Sequence, residues 1–184
     1  RDFDPESFRR ASDGSFWIGD EFGPVLLNVD AQGRVLRAPV KLNGVASPQD
    51  PYGRPANLQG SGGYEGLSFS PSNPNTLYAM LERPTAEDLA AGRNRLQINT
   101  FDAVAGDYTG ERRFYPLSVT EGGTNIGDFT PLTDTIHLVI ERDGASGANA
   151  RFKKVFLVDF NLLDAQGNLQ KFELLNLLDI ADAK

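Results

Sequence analysis

Acidic side chains recur at two fixed places in this 184-residue chain. Three short runs end in glutamate: Ser15-Phe16-Trp17-Ile18-Gly19-Asp20-Glu21, Thr76-Leu77-Tyr78-Ala79-Met80-Leu81-Glu82 and Thr135-Ile136-His137-Leu138-Val139-Ile140-Glu141. The intervals between those glutamates are 61 and 59 residues. Ahead of each run stands another acid, Glu6, Glu65 or Asp128, at intervals of 59 and 63 residues. Brought together with Asp20, these carboxylates make a set of hard oxygen donors. Such a set suits Ca2+, which takes about six to eight oxygens, and without a cation it repels itself. The other reading is that each acid caps a strand or pairs with a nearby Arg. Two of the runs continue into a base, as Glu82-Arg83 and Glu141-Arg142. A planar guanidinium beside a bound cation suits a phosphate or carboxylate ligand, which makes Arg83 and Arg142 the candidate catalytic residues. Pairing with the adjacent acids is the alternative for both.

Composition narrows the chemistry. With 18 Lys+Arg against 25 Asp+Glu the net charge is −7, the wrong sign for gripping a phosphate backbone, so no nucleic-acid partner is expected. There is no Cys, which excludes disulfides, thiol catalysis, thiolate zinc sites and iron–sulfur clusters. A single His, His137, leaves a His-rich metal site or a Ser-His-Asp triad without material. The longest apolar run, Leu77–Leu81, is far too short for a membrane-spanning helix. The chain starts at Arg1 with neither Met nor an apolar leader, which reads as a processed or trimmed piece. Its acidic, Cys-free make-up fits an exported bacterial protein.

The acids need elements that hold them, and the same spacing supplies these. After each glutamate comes a β-rich run closing on Asp and a turn (Val25–Asp30, Leu96–Asp102, Val155–Asp159), then a fourth run (Val35–Leu42, Tyr108–Leu117, Leu169–Leu178). Short β-branched and aromatic runs between Gly, Asp, Asn and Pro read as antiparallel strands. Four strands in about 60 residues, three times over, predict an all-β fold, a β-propeller fragment of about three four-stranded antiparallel blades. The blades fall at roughly 1–42, 64–117 and 126–180, with 43–63 as a long inter-blade loop. A β-sandwich is the structural alternative, but it does not predict a regular period with an acid at two places. Residues 85–92 read as one or two helical turns behind an N-cap Thr85. Propellers close with four to eight blades, so the remaining blades or a second chain are expected to complete the ring.

In such a disc the start of a blade's first strand and the end of its second lie at the same face. The repeat therefore predicts that Glu6, Glu21, Glu65, Glu82, Asp128 and Glu141 meet, with Asp20, around one mouth of the central channel. Counted back from the aligned glutamates, His137 takes the place of Trp17 and Tyr78, which reads as packing rather than catalysis. The Asp-Ala-Gln-Gly stretches at Asp30 and Asp164 lack the alternating acids of an EF-hand and read as turns. Around the second acid position the third unit has Ile126-Gly127-Asp128 where the second has Tyr64-Glu65-Gly66.

Several stretches carry a resemblance. Phe3-Asp4-Pro5-Glu6-Ser7, Phe16-Trp17-Ile18-Gly19-Asp20-Glu21-Phe22-Gly23-Pro24, Gly63-Tyr64-Glu65-Gly66-Leu67-Ser68, Leu77-Tyr78-Ala79-Met80-Leu81-Glu82 and Val139-Ile140-Glu141-Arg142-Asp143 resemble the phytase-like domain family, described by its esterase-like activity. The resemblance runs along the whole chain and covers part of such a domain. It implies a secreted or periplasmic hydrolase of phosphoester or related ester bonds, dependent on Ca2+, acting on a small substrate. Two other classes stay open. One is a propeller lactonase with one divalent cation and an Asn ligand, for which Asn57, Asn125 and Asn149 are loosely placed. The other is a non-catalytic propeller for calcium binding or assembly.

Overall fold

The computed structural model describes residues 3–181, so the first two residues of the 1–42 unit lie outside it. The twelve strands form three four-stranded antiparallel sheets. The first contains β1 (Pro5–Arg10), β2 (Phe16–Asp20), β3 (Val25–Val29) and β4 (Val40–Lys41). The second contains β5 (Tyr64–Phe69), β6 (Thr76–Leu81), β7 (Arg95–Asp102) and β8 (Asp107–Pro116). The third contains β9 (Asn125–Pro131), β10 (Ile136–Arg142), β11 (Lys153–Leu163) and β12 (Leu169–Asn176). Within every sheet the strands lie in sequence order, and β5 packs against both β1 and β9. The first strands therefore gather along one line while β8 and β12 meet farther out. These are three successive blades of a β-propeller.

Apolar alternation builds two cores, one in each gap between sheets. Trp17, Leu26, Tyr64, Leu67, Leu77 and Phe101 fill the gap between the first and second sheets. Tyr78, Met80, Ile98, Tyr115, Phe129 and Val139 fill the gap between the second and third. The second sheet is buried on both faces, so β6 reads as a nearly continuous apolar run and β5 buries even Glu65 and Ser68. Its approach to the first sheet is close at Gly63, where a Cβ would stand 2.5 Å from the carbonyl oxygens of both Asp20 and Glu21. The outward faces of the end sheets keep exposed apolar groups, among them Phe8, stacked on the half-buried Phe16, on the first sheet and Phe172 and Leu174 on the third.

The local elements follow their chemistry. The Thr85 hydroxyl accepts from the Asp88 amide and starts α1 (Ala86–Ala90). In the two Asp-Ala-Gln-Gly stretches, Asp30 Oδ1 accepts from the amides of Gln32 and Arg34, and Asp164 Oδ1 from those of Gln166 and Asn168. Gly33 and Gly167 close these turns with φ of 79° and 77°.

One expectation about the repeat needs correction. The first strand of each sheet carries a bulge, between Pro5 and Ser7, between Tyr64 and Gly66, and opposite Ile140 and Glu141, where Asp128 and Ile126 are the paired residues. The extra residues are thus Glu6, Glu65 and Gly127. The residues that follow the pairs Pro5–Asp20, Tyr64–Leu81 and Ile126–Glu141 on the second strand are Glu21, Glu82 and Arg142. The third unit is therefore one residue out of step with the alignment made from the glutamates. Asp128 corresponds to Ser7 and Gly66, Glu141 to Asp20 and Leu81, and His137 to Phe16 and Leu77 rather than to Trp17 and Tyr78. Because successive side chains alternate faces, a slip of one sends each of these groups to the opposite side of its sheet.

Candidate functional site

Five carboxylates come together where the first two sheets begin. Single carboxylate oxygens of Asp4, Glu6 and Glu21 all lie within 4.8 Å of one another. Asp4 precedes β1 and is fixed by its own backbone: its amide donates to Asp20 Oδ1 at 2.7 Å and its carbonyl accepts from the Glu21 amide at 2.9 Å. Glu6 is the bulge residue of β1, and Glu21 directly follows β2. The second sheet repeats both devices with Glu65 and Glu82. Gly63 locks the two units together, donating to the Glu21 carbonyl at 2.9 Å and accepting from the Glu82 amide at 2.8 Å. A side chain at residue 63 would hold them apart.

Burial and crowding raise the pKa of Glu6, Glu65 and Glu82 together. Burial, then the charges of Glu6 and Glu21, push the Glu65 carboxyl up to about 7 against the partial relief given by Arg142. Glu82 is raised by burial and by Glu65 and Glu21, with Arg83 opposing. Glu6 is raised by burial and by Asp4 and Glu21. Neutralisation by the protein is incomplete. Arg142 Nη2 stands 3.6 Å from Glu65 and 3.9 Å from Glu82, and Arg83 Nε stands 3.6 Å from Glu82, all longer than charge-assisted hydrogen bonds. Glu82 Oε2 is buried without a hydrogen-bond partner among the described residues. Hard oxygens that crowd, repel and keep an unmet lone pair fit a hard divalent cation.

The third sheet contributes a base in place of acids. Gly127 fills its bulge and Arg142 follows the pair at the position of Glu21 and Glu82, so Arg142 reaches across to the second sheet's glutamates. Three residues expected at the mouth serve elsewhere. Asp20 is fully buried and accepts from the Asp4 and Gly23 amides, both at 2.7 Å, which makes it the brace of the Asp4 loop. Asp128 pairs with Arg9 at 2.8 Å and tethers β1 to β9. Burial pushes its carboxyl up, but the hydrogen bonds from Thr130 and Arg9 prevail and leave it below the usual range. Glu141 is fully buried between the second and third sheets. It accepts from Lys171 Nζ and the Ser118 amide at 2.6 Å, the Tyr115 hydroxyl at 2.7 Å and the Thr124 hydroxyl at 2.8 Å. Four donors leave it no free valence for a ligand, and they hold it charged against the cost of burial.

Sequence reasoning missed Asp4. It sits in the Phe3-Asp4-Pro5-Glu6 stretch, but with no counterpart in the other units the period could not flag it. Of the candidate Asn ligands, Asn57 is committed to loop contacts with Ala46, Gly44 and Glu87, while Asn149 lies in a short 3-10 turn. Only Asn125, at the start of β9, lies at the mouth end of its strand.

Compared with known families, residues 1–184 match the family model described as "Phytase-like: Esterase-like activity of phytase". No curated protein matches the chain.

Proposed function

The chain belongs to the phytase-like family, and from that premise we propose that it hydrolyses phosphoester or closely related ester bonds of a small substrate at the acidic mouth. The observation that carries the reading is the convergence of Asp4, Glu6 and Glu21 with the buried, proton-retaining Glu65 and Glu82. Asp4, Glu6 and Glu21 would hold a divalent cation, with Glu65 and Glu82 completing the oxygen set, and Ca2+ is the ion whose ligand number and type they match. When bound, such an ion supplies charge for an ester oxygen and an acidified water. The chain's own part is to hold the donors in place, through the Asp20 brace and the Gly63 contact. Arg83 and Arg142 orient an anionic group by offering guanidinium edges not fully engaged by glutamate. Glu65, raised by burial and by the charges of Glu6 and Glu21, would give up its proton as a cation binds. We place the protein, on the same reading, in a secreted or periplasmic setting.

Hydrolysis of p-nitrophenyl phosphate and p-nitrophenyl acetate, with EDTA and with added Ca2+, tests this. Activity that rises with Ca2+ and falls in Glu21→Gln and Arg142→Met supports it. Calcium that neither raises activity nor shifts thermal stability overturns the metal assignment.

A further inference from the structure

A second site lies away from the mouth, in the gap between the first and second sheets. β4 has two residues whereas β8, its counterpart in the second sheet, has ten. The outer part of the second sheet's face is therefore left uncovered by its neighbour. Along this uncovered face run two cavities of about 320 and 340 Å³ that share Asn43, Gln97 and Arg112 as lining residues. Together they form one elongated groove, and each is at the lower end of the size range for small-molecule sites.

The groove's floor is polar where packing alone would make it apolar. Gln97 and Asn99 sit two residues apart on β7, on the face that carries Phe101 into the core. They are 7% and 3% exposed. Gln97 Oε1 and Asn99 Nδ2 have no hydrogen-bond partner among the described residues. One is an acceptor and the other a donor, and buried amides in that condition are costly unless a ligand or solvent meets them. Across β8 the Arg112 side chain, paired in register with Asn99, makes no ion pair among the described residues. Asp107 and Tyr108 line the same cavity. Around the acceptor and donor amides the lining carries Glu87, Asp88, Asp107 and Glu111 against Arg93, Arg95 and Arg112, so donors and acceptors are mixed and the formal charges nearly balance. That pattern matches neutral, polyhydroxylated units in a row, where each hydroxyl both donates and accepts.

We propose that the groove between β4 and β7–β8 binds a saccharide of at least two sugar units, with Gln97 and Asn99 reading adjacent hydroxyls and Arg112 closing over them. The site is independent of the acidic mouth and of the reaction assigned there.

Titration calorimetry of the protein with maltose, cellobiose and N,N′-diacetylchitobiose tests this. At least one should bind with a Kd of about 1 mM or tighter. Gln97→Leu and Asn99→Leu should each weaken it by about tenfold, the equivalent of one lost hydrogen bond, while leaving the melting temperature equal or higher. Arg112→Ala, an exposed substitution that leaves the fold intact, should weaken it as well. No binding by any of the three sugars overturns the proposal, and so does binding that survives all three substitutions.

Discussion

Glu141→Gln separates structural from ligand-binding acids most sharply. In the wild type its four donors include the Lys171 ammonium at 2.6 Å, and the Lys171 side chain is itself only 16% exposed. Burial pulls Lys171 below its usual range despite the attraction of Glu141. The pair thus gains little net energy by forming, yet breaking it leaves an ammonium uncompensated in a dry gap. Removing one partner of a buried pair costs about 3–5 kcal/mol. A domain of this size loses about 2–4 °C of melting temperature per kcal/mol, so the variant should melt about 6–20 °C lower. Lys171→Met alone leaves a buried carboxylate with three neutral donors and should also destabilise. Combined with Glu141→Gln it should restore much of the loss, giving a coupling of about 1–3 kcal/mol in a double-mutant cycle. The pH dependence has a definite sign. The folded-state carboxyl lies below its unfolded value, so the unfolded chain binds more protons in acid. The contribution is complete above about pH 4.5 and fades as the pH falls through the lower folded-state value. Urea denaturation of wild type, both single variants and the double variant, with and without Ca2+, measures all of this. A Glu141→Gln variant that keeps its stability in EDTA and instead loses a calcium-induced shift would refute the reasoning, because it would put Glu141 at the cation.

Other perturbations read the remaining features. In EDTA, Glu65 keeps its proton to about pH 7 in the folded state but only to about 4.5 unfolded, so stability falls as pH rises between those values; Glu65→Gln should remove the slope and gain up to about 3 kcal/mol at pH 8, and a variant no more stable there than wild type contradicts the burial argument. His137 stacks on Phe129 and Phe160 with neither ring nitrogen hydrogen-bonded among the described residues, and burial lowers it to about 4. The folded state then binds fewer protons than the unfolded chain, so stability rises with pH from about 4 to 6.5, and His137→Phe should flatten that rise in thermal melts across the range. Gly63→Ala forces a methyl onto two carbonyl oxygens and should shift the mouth as well as the stability, with activity lost more than the melting temperature accounts for; unchanged activity would mean that the loop absorbs the methyl.

Much of the architecture was legible because its signals are repeated and local. Apolar alternation, Asp-Ala-Gln-Gly turns and the Thr85 cap each depend on a few neighbouring residues, and all three sheets followed from them. The slip in the third unit shows where such reading stops. An acid ends an apolar run in every unit, yet what repeats in the fold is the bulge, and the one-residue phase shift it makes is hard to see in a strand of six or seven residues. The correct register was present in Ile126-Gly127-Asp128 set against Tyr64-Glu65-Gly66, but glycine in place of glutamate hid it. Asp128 and Glu141 consequently looked like members of the mouth, although Arg9 and Lys171 claim them through contacts 119 and 30 residues away in sequence. Nothing local marks such partners.

The bulge also separates two sets of constraints on the same strand. Residues before and after it keep the strict alternation that fills the gaps between sheets, while the extra residue stands outside the ladder and answers only to the mouth. Substitution there is free of the core's demands, and so is the second-strand residue that follows the pair at the bulge, Glu21, Glu82 or Arg142. One blade can therefore carry two acids at these places and another a glycine and an arginine, as the second and third do, on backbones that superpose in pattern. Charge around the channel is in effect written in a separate alphabet from packing, and a lineage of such chains can rewrite what the mouth holds, one blade at a time, without rebuilding the disc.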